Sequence, residues 1–577
     1  MREKTKMGLG VLEAALLLGI LGDALLRATP WGLNVFLWVG VLAAALLALS
    51  RRKRAALKGD GAWLLPAVIV FAAAFAWRDS LTLKLLDALS IAAVLSLAAL
   101  RTRGGRVRLG GVTEYARGVL VSIGNTIFGT FPLLFKDIGW QEIPVSRARW
   151  SRHAAALTRG VAIALPLVLI FGALFMAADA VYDGLVRNTF NIDAELTFSH
   201  VILFGVFAWT SAGFLRGMFL GKESSPRAEN LAALVSLGLG DKIDRELKTD
   251  GYLSSSVDAS ESQGDDSSSK SADDARRSAA SGGGKVEDGT TPARKFVSLG
   301  IVEVGVVLGT LNALFFTFVV VQMRYFFGGA EHVLSSAELT YSEYARRGFF
   351  ELVCVAALVL PLLLGAHWLL RKERPADERI FRVLAGTQLF LLFVIMASAV
   401  GRMRLYQSEY GLTELRLYTT AFMGWLAVVF IWFALTVLRG ERERFACGAL
   451  VAALVVVVAL HVVNPNDLIV RTNTTLAEEI SRGLDVGYAT SLGADAVPAL
   501  IDALPRMKTQ ERRHVASTLL ERAAGEDTDW RTWSWSRWYA RRAVSENELI
   551  LRGLSQQSLD PSAQTPFIES ANQLSVK

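Results

Sequence analysis

Cysteine is nearly absent from this chain. Cys354 and Cys447 are the only two in 577 residues, and both lie inside apolar runs. That excludes a disulfide framework in the connecting loops and any CxxC or Cys/His spacing suited to zinc; both thiols read as small buried hydrophobes. Histidine is scarce too, with six residues scattered without an HExxH or an i,i+4 pair, so no metal centre is legible. Gly217 to Lys222 is one residue short of the GxxxxGK phosphate loop, Gly282 to Lys285 has no strand before it, and no GxSxG elbow occurs. By motif, then, the chain offers no catalytic, cofactor-binding or metal-binding residues.

Charge is also in short supply. Charged residues are 20% of the chain against 52% hydrophobic, with a mean hydropathy of +0.37. The charges cluster between apolar runs, so the net +7 is read loop by loop rather than as a nucleic-acid signal. Eleven runs approach the roughly 20 apolar residues that a helix needs to cross a bilayer: 8–27, 31–50, 61–77, 81–100, 155–181, 196–220, 297–323, 348–370, 380–400, 415–438 and 445–463. Every backbone amide in lipid must be bonded within its own segment, and strands of a barrel would alternate over about ten residues, so these are helices. The fold class is all-α: a polytopic integral membrane helical bundle of about eleven spans with a small helical C-terminal tail. The first run follows Arg2, Lys4 and Lys6 with no evident cleavage site and reads as an uncleaved helix.

The basic residues orient the spans. Arg51 to Arg54 and Lys58, Arg101 to Arg108, Arg371 to Arg379, and Arg439 to Arg444 mark the richest loops, which places them and the N-terminus in the cytoplasm and the C-terminus outside. Residues 119–135 are apolar but short, and broken by Ser122, Asn125, Thr126 and Pro132; they are expected to be interfacial or re-entrant. Four regions follow: an N-terminal membrane bundle at 1–220, a Ser/Asp/Gly-rich cytoplasmic linker at 221–295 expected to be disordered, a second bundle at 296–463, and an extracytoplasmic tail at 464–577. Within the tail, Asp495 is expected to cap a helix that Pro505 stops, and Gln510 to Ala524 has helical periodicity through Val515, Leu519 and Leu520.

Polar residues inside the spans are the first functional candidates, because ionisable groups in lipid are expensive. Asp87, Glu303, Asn312 and Gln388 stand out, beside Glu13, Asp23 and Glu351. Those near a boundary can reach the headgroups, Lys84 can neutralise Asp87 from one turn away, and Asn312 and Gln388 suit interhelical hydrogen bonds. The most distinctive polar segment is Trp530 to Arg542, with four tryptophans and four arginines in thirteen residues. Packing of Trp530, Trp533 and Trp538 on neighbours, with Arg537 and Arg541 over rings, competes with anchoring at the membrane interface. The expected extracytoplasmic location argues against stacking on nucleic acid.

Several of these stretches occur together in one recognisable order. Tyr410-Gly-Leu-Thr-Glu-Leu-Arg-Leu-Tyr418, Asn464-Pro-Asn-Asp-Leu-Ile469, Leu484-Asp485 with Tyr488, Asp495 to Leu500, and Asp529-Trp-Arg-Thr-Trp533 resemble the bacterial multi-pass membrane proteins classed as domain of unknown function 4173, with its close relative 4153. The resemblance covers roughly 400–545 and implies a bacterial cell (inner) membrane and a helical tail, but no activity. Read physically, Thr413 can cap the following helix, Glu414 suits its dipole, and Arg416 and Tyr418 sit at the interface. Three function classes stay open: an envelope scaffold or sensor acting through tail and linker, a transporter or channel using Asn312, Gln388 and an acid, and an intramembrane enzyme using Asp179, Asp183 and His200. The expected partners are the lipid bilayer and envelope proteins bound through the tail, with no cofactor and no nucleic acid.

Overall fold

A computed structural model describes residues 2–53, 61–102, 107–140, 194–221, 300–327, 349–370, 374–479, 483–525 and 529–556. Ten of the eleven expected runs are helices: α1 Glu3–Leu26, α2 Leu33–Lys53, α3 Leu64–Trp77, α4 Leu81–Thr102, then, after α5 Val112–Phe128, α6 Ala194–Phe219, α7 Ile301–Phe327, α8 Phe349–Leu369, α9 Pro375–Tyr410, α10 Glu414–Thr436 and α11 Phe445–Val463. The run at 155–181 and nearly all of the 221–295 linker lie outside the described residues. Among the described residues, nine helices are long and apolar enough to cross a membrane, or ten if a bent pair is one span. The protein is a polytopic helical membrane bundle. With 14 residues, α3 is about 21 Å long, short of the roughly 30 Å hydrocarbon core.

One helix exceeds its apolar run. The sequence marks 380–400, yet α9 has 36 residues and runs from Pro375 to Tyr410. Pro375 opens it where a missing N–H costs nothing, and the Asp377 carboxylate accepts from the Arg374 amide at 3.0 Å. No proline follows, Gly386 and Gly401 stay helical, and the stop comes at Gly411, whose φ is 71°. Apolarity marks the part that lipid covers, and the helix itself continues until a residue stops it.

Close packing of α1 on α6 depends on small residues. A Cβ on Gly22 would stand 2.5 Å from Phe207 Cγ, and one on Gly19 would stand 2.7 Å from Ala208 Cβ. Helices in lipid gain by such close approach, since the hydrophobic effect does little between them. Gly22→Leu is expected to force the pair apart and cost about 1–3 kcal/mol, read as a lower unfolding temperature in detergent, whereas Gly40→Leu, on a glycine with open space around it, leaves it unchanged.

Apolar burial falls into three clusters. One gathers α1 to α4 and α6, the second gathers α7 to α10, and the third lies in the tail. The last span, α11, joins two of them, with Leu454 and Val457 in the first and Phe445 in the second. Asn34, fully buried, organises the turn between α1 and α2: it accepts from the Gly32 and Val35 amides and donates to the Leu25 and Ala28 carbonyls.

The segment 112–137 is bent by 57° between Val112–Phe128 and Thr130–Asp137. Gly118 on α5 packs against Leu100, and Gly129 packs against Gly213 in the last third of α6. The chain then reaches Asp137, which pairs with Arg216 at 2.8 Å and Lys4 at 3.2 Å.

The tail is helical as expected: α12 Pro465–Glu479, α13 Val486–Ser491, α14 Val497–Ala503, α15 Thr509–Gly525, α16 Trp535–Glu546 and α17 Glu548–Gln556. Val515 and Leu519 are buried as their periodicity predicts. The tail forms a cap on one end of the bundle. It meets the ends of α1, α2, α3, α4, α10 and α11 opposite those that carry Arg51, Arg52, Arg101, Arg439 and Arg444.

Candidate functional site: the seam between cap and bundle

Two residues of the α3–α4 turn and two of the cap form a reciprocal clamp. Arg78 donates to Asp495 at 3.2 Å, and the amide of Asp79 donates to the same carboxylate at 2.6 Å. In return Arg537 of the cap donates to the Asp79 carboxylate, which also holds Lys84 at 2.6 Å. Ser536 donates to Asp495 and lies 2.9 Å from the Trp77 carbonyl. Arg537, 5% exposed, also reaches the Thr532 carbonyl. Charges this buried are tolerable only because each has an opposite partner and further hydrogen bonds.

Backbone contacts reinforce the clamp. The Leu33 amide donates to the Trp533 carbonyl at 2.8 Å, and Arg531 donates to the Ala24 carbonyl at 2.6 Å. Asp529 caps the short turn before it, and the Arg531 hydrogen bonds hold its carboxyl below the usual range. On the far side, Tyr488 accepts from the Glu414 amide at 2.8 Å, and burial pushes its hydroxyl above its ordinary pKa. Ser80 lies 3.1 Å from the Tyr418 hydroxyl and 3.4 Å from Glu414.

Beneath the clamp sits a buried acid–imidazole pair. His461 Nε2 on α11 is 2.9 Å from Asp87 Oδ1 on α4, with side chains 3% and 0% exposed. Its backbone carbonyl accepts from Arg78 at 2.9 Å, and Trp77 stacks on its ring. The second Asp87 oxygen and His461 Nδ1 have no hydrogen-bond partner among the described residues.

Several expectations need correction here. Lys84 does not pair with Asp87, because Asp79, on the turn just before α4, takes its ammonium. Asp495 caps no helix; its carboxylate is spent across the seam. Among the described residues Arg537 stacks on no ring, being drawn instead to a carboxylate and two carbonyls. Trp530 and Trp538 are 62% and 38% exposed, so they do not fill a core; Arg542 stands over the Trp538 ring.

The other candidates are placed apart. Glu303 accepts from the Gly300 amide and secures the start of α7. Asn312 donates to Leu384 on α9, one turn before Gln388, which is fully buried with neither amide atom partnered among the described residues. These two are neighbours in the second bundle, whereas Asp87 packs in the first. Arg416 lies over the Tyr406 ring at 4.1 Å and donates to the Tyr410 and Gly411 carbonyls, tying α10 to the end of α9. Thr413 caps α10 as expected. His200 meets Asp23 at 2.6 Å; Asp179 and Asp183 lie outside the described residues.

Gly411 is the most constrained point of the seam. Its φ of 71° with ψ of −176° suits glycine alone, and a Cβ there would stand 2.6 Å from Asn473 Oδ1. That same amide accepts from Leu412 N at 2.5 Å and donates to its carbonyl at 2.9 Å. Gly411→Ala is expected to cost about 1–3 kcal/mol and to loosen α12 from the bundle, seen as faster amide exchange at Leu412.

A family profile described as Domain of unknown function (DUF4153) matches residues 65–237 and 277–503. The chain belongs to this family. The match reaches well before the motifs around 410–533 that carry the resemblance in sequence, and it ends before the Trp/Arg segment. It includes the α3–α4 turn, Glu414, His461 and Asp495, while Ser536 and Arg537 lie beyond it. No curated protein and no solved structure matches the chain.

Proposed function

We propose that this DUF4153 protein is an envelope scaffold or sensor of the cell membrane, in which the cap takes up an outside signal and the seam passes it to the bundle. The observation that carries the reading is the reciprocal clamp, Arg78 to Asp495 and Arg537 to Asp79. It fastens a water-facing subdomain to the turn that begins α4, directly above the Asp87–His461 pair. The densest basic loops lie at the opposite helix ends, which supports a cytoplasmic N-terminus and an outside cap. The contacts of 112–137 suit a re-entrant hairpin whose two ends share the basic face. A transporter is the second reading, favoured by buried polar atoms without a partner among the described residues, Asp87 Oδ2, His461 Nδ1 and the Gln388 amide.

Hydrogen exchange on the full chain in lipid discs tests the coupling. Arg537→Ala is expected to speed exchange in the cap and also at the start of α4 and the end of α11. Faster exchange in the cap alone would leave a tethered subdomain with no path into the membrane. Orientation is tested separately, in cells, on a background lacking Cys354 and Cys447. A membrane-impermeant thiol reagent is expected to label Ser555→Cys and to miss Ala376→Cys.

A further inference from the structure

Between Trp77 and Arg78 of the bundle and the helices α12, α14 and α16 of the cap lies an open cleft of about 390 Å³. That is the size of a small-molecule site rather than of a single trapped water. Its charges are already satisfied. Arg78 is bound to Asp495, and Arg471 spans Asp467 at 2.8 Å and Asp502 at 3.1 Å. Glu546 at the rim pairs with Arg542. No guanidinium is left for a phosphate or carboxylate, and every carboxylate touches a cation, Asp467 and Asp502 sharing that of Arg471.

What the cleft offers instead is ring faces and lone pairs. Trp535 and Tyr539 line it, each 49% exposed and one turn apart on α16. That places their Cβ atoms about 5–6 Å apart, the scale of one pyranose ring. Asn464, the left-handed residue that ends α11 with φ of 55°, also lines the cleft. Its Oδ1 is buried and has no hydrogen-bond partner among the described residues. A buried acceptor left without a donor is costly, so it marks a place where a ligand or water donates. The neutralised carboxylates keep further lone pairs free for donors.

We propose that the cleft binds a neutral saccharide, whose C–H faces lie on Trp535 and Tyr539 and whose hydroxyls donate to Asn464 and the neighbouring carboxylates. Such a ligand is rich in donors, has apolar faces and carries no charge, and each property answers one feature of the lining. The inference rests on the sensor reading, in which the cap faces outward, and supplies the class of signal. Trp538 lies beside Trp535, with ring centroids 5.1 Å apart, and is not part of the lining.

The test is calorimetric titration of the full chain in lipid discs with cellobiose, maltose and diacetylchitobiose. Glucosamine supplies a cationic arm and glucuronate an anionic one. At least one neutral disaccharide is expected to bind with a Kd below roughly 10 mM, and Trp535→Ala and Tyr539→Ala should each weaken it about tenfold or more. Asn464→Gly, which keeps the left-handed backbone, should weaken it without lowering the thermal transition. Binding of only the charged sugars overturns the proposal, as does no binding at all. So does quenching of Trp535 by spin-labelled lipid, which would make the ring a membrane anchor. Hydrogen exchange on the same preparation separates the two ideas. Coupling without sugar binding sinks this inference alone, and absent coupling sinks the sensor reading whatever binds.

Discussion

Asp79→Ala is expected to release the cap, at a cost of about 3–5 kcal/mol. The substitution strands two cations at once. Arg537 is 6% and Lys84 12% exposed along their side chains, and Asp79 is the carboxylate of both ion pairs. Removing one member of a buried set costs more than the pair contributes, because the survivors keep their desolvation penalty without their partner. Arg537→Ala should cost less, since Asp79 then retains Lys84. The double variant Asp79→Ala with Arg537→Met should recover part of the loss, because the longest-reaching cation is gone and its volume is roughly kept. Limited proteolysis of the protein in lipid discs reads the effect, as accumulation of a bundle fragment that ends before α16. If Arg537→Ala proved the more damaging single change, the carboxylate would not be the hub of the clamp.

The bundle was legible because its signal is local. A run of apolar residues long enough to span lipid declares itself within a window, and ten of eleven runs are helices with nearly the expected ends. The exceptions follow from the same physics. Residues 380–400 delimit the greasy part of α9, but the helix needs no lipid to continue through Arg402 and Arg404, and it stops only at Gly411. Thr413 was readable as a cap since a capping residue and its amide are three positions apart.

The seam was not legible, because its partners are remote in sequence and ordinary in kind. Asp79 meets Arg537, and Trp77 meets Ser536, across more than 450 positions. Nothing in a Trp-Arg-Asp-Ser turn distinguishes it from any loop between spans. Asp495 misleads because an acid shortly before Pro498 has the look of a cap, and Arg537 misleads because its neighbours in sequence are rings. A weaker signal was present all the same. The stretches around Tyr410, Asn464, Tyr488, Asp495 and Asp529 lie apart along the chain, and the fold gathers residues of each at the contact between cap and bundle. Their convergence was visible only as a shared order along the chain.

The opposite end of the bundle holds a second buried acid with a comparable expected effect. Asp137 is fully enclosed, with Arg216 3% and Lys4 41% exposed along their side chains. Asp137→Ala is expected to cost about 3–5 kcal/mol by stranding Arg216, and Lys4→Ala no more than about 1 kcal/mol, since that ammonium keeps its water. The loss should be local as well as global. Asp137 closes the π-helical turn Leu133–Asp137, after which the Gly139 amide donates to Thr5 and Ile138 packs on Gly8. Hydrogen exchange across 130–140 should therefore rise more than exchange in the cap. Equal effects of Asp137→Ala and Lys4→Ala would mean that Arg216 finds water or another acceptor. The same residue bears on topology, because it ties the end of the bent segment to the start of α1. On the re-entrant reading, Lys136→Cys is reached by a thiol reagent from the side that reaches Ala376→Cys. Labelling from the side of Ser555→Cys would instead make 112–137 a complete span, and the basic loops that follow it would then face outward against their charge.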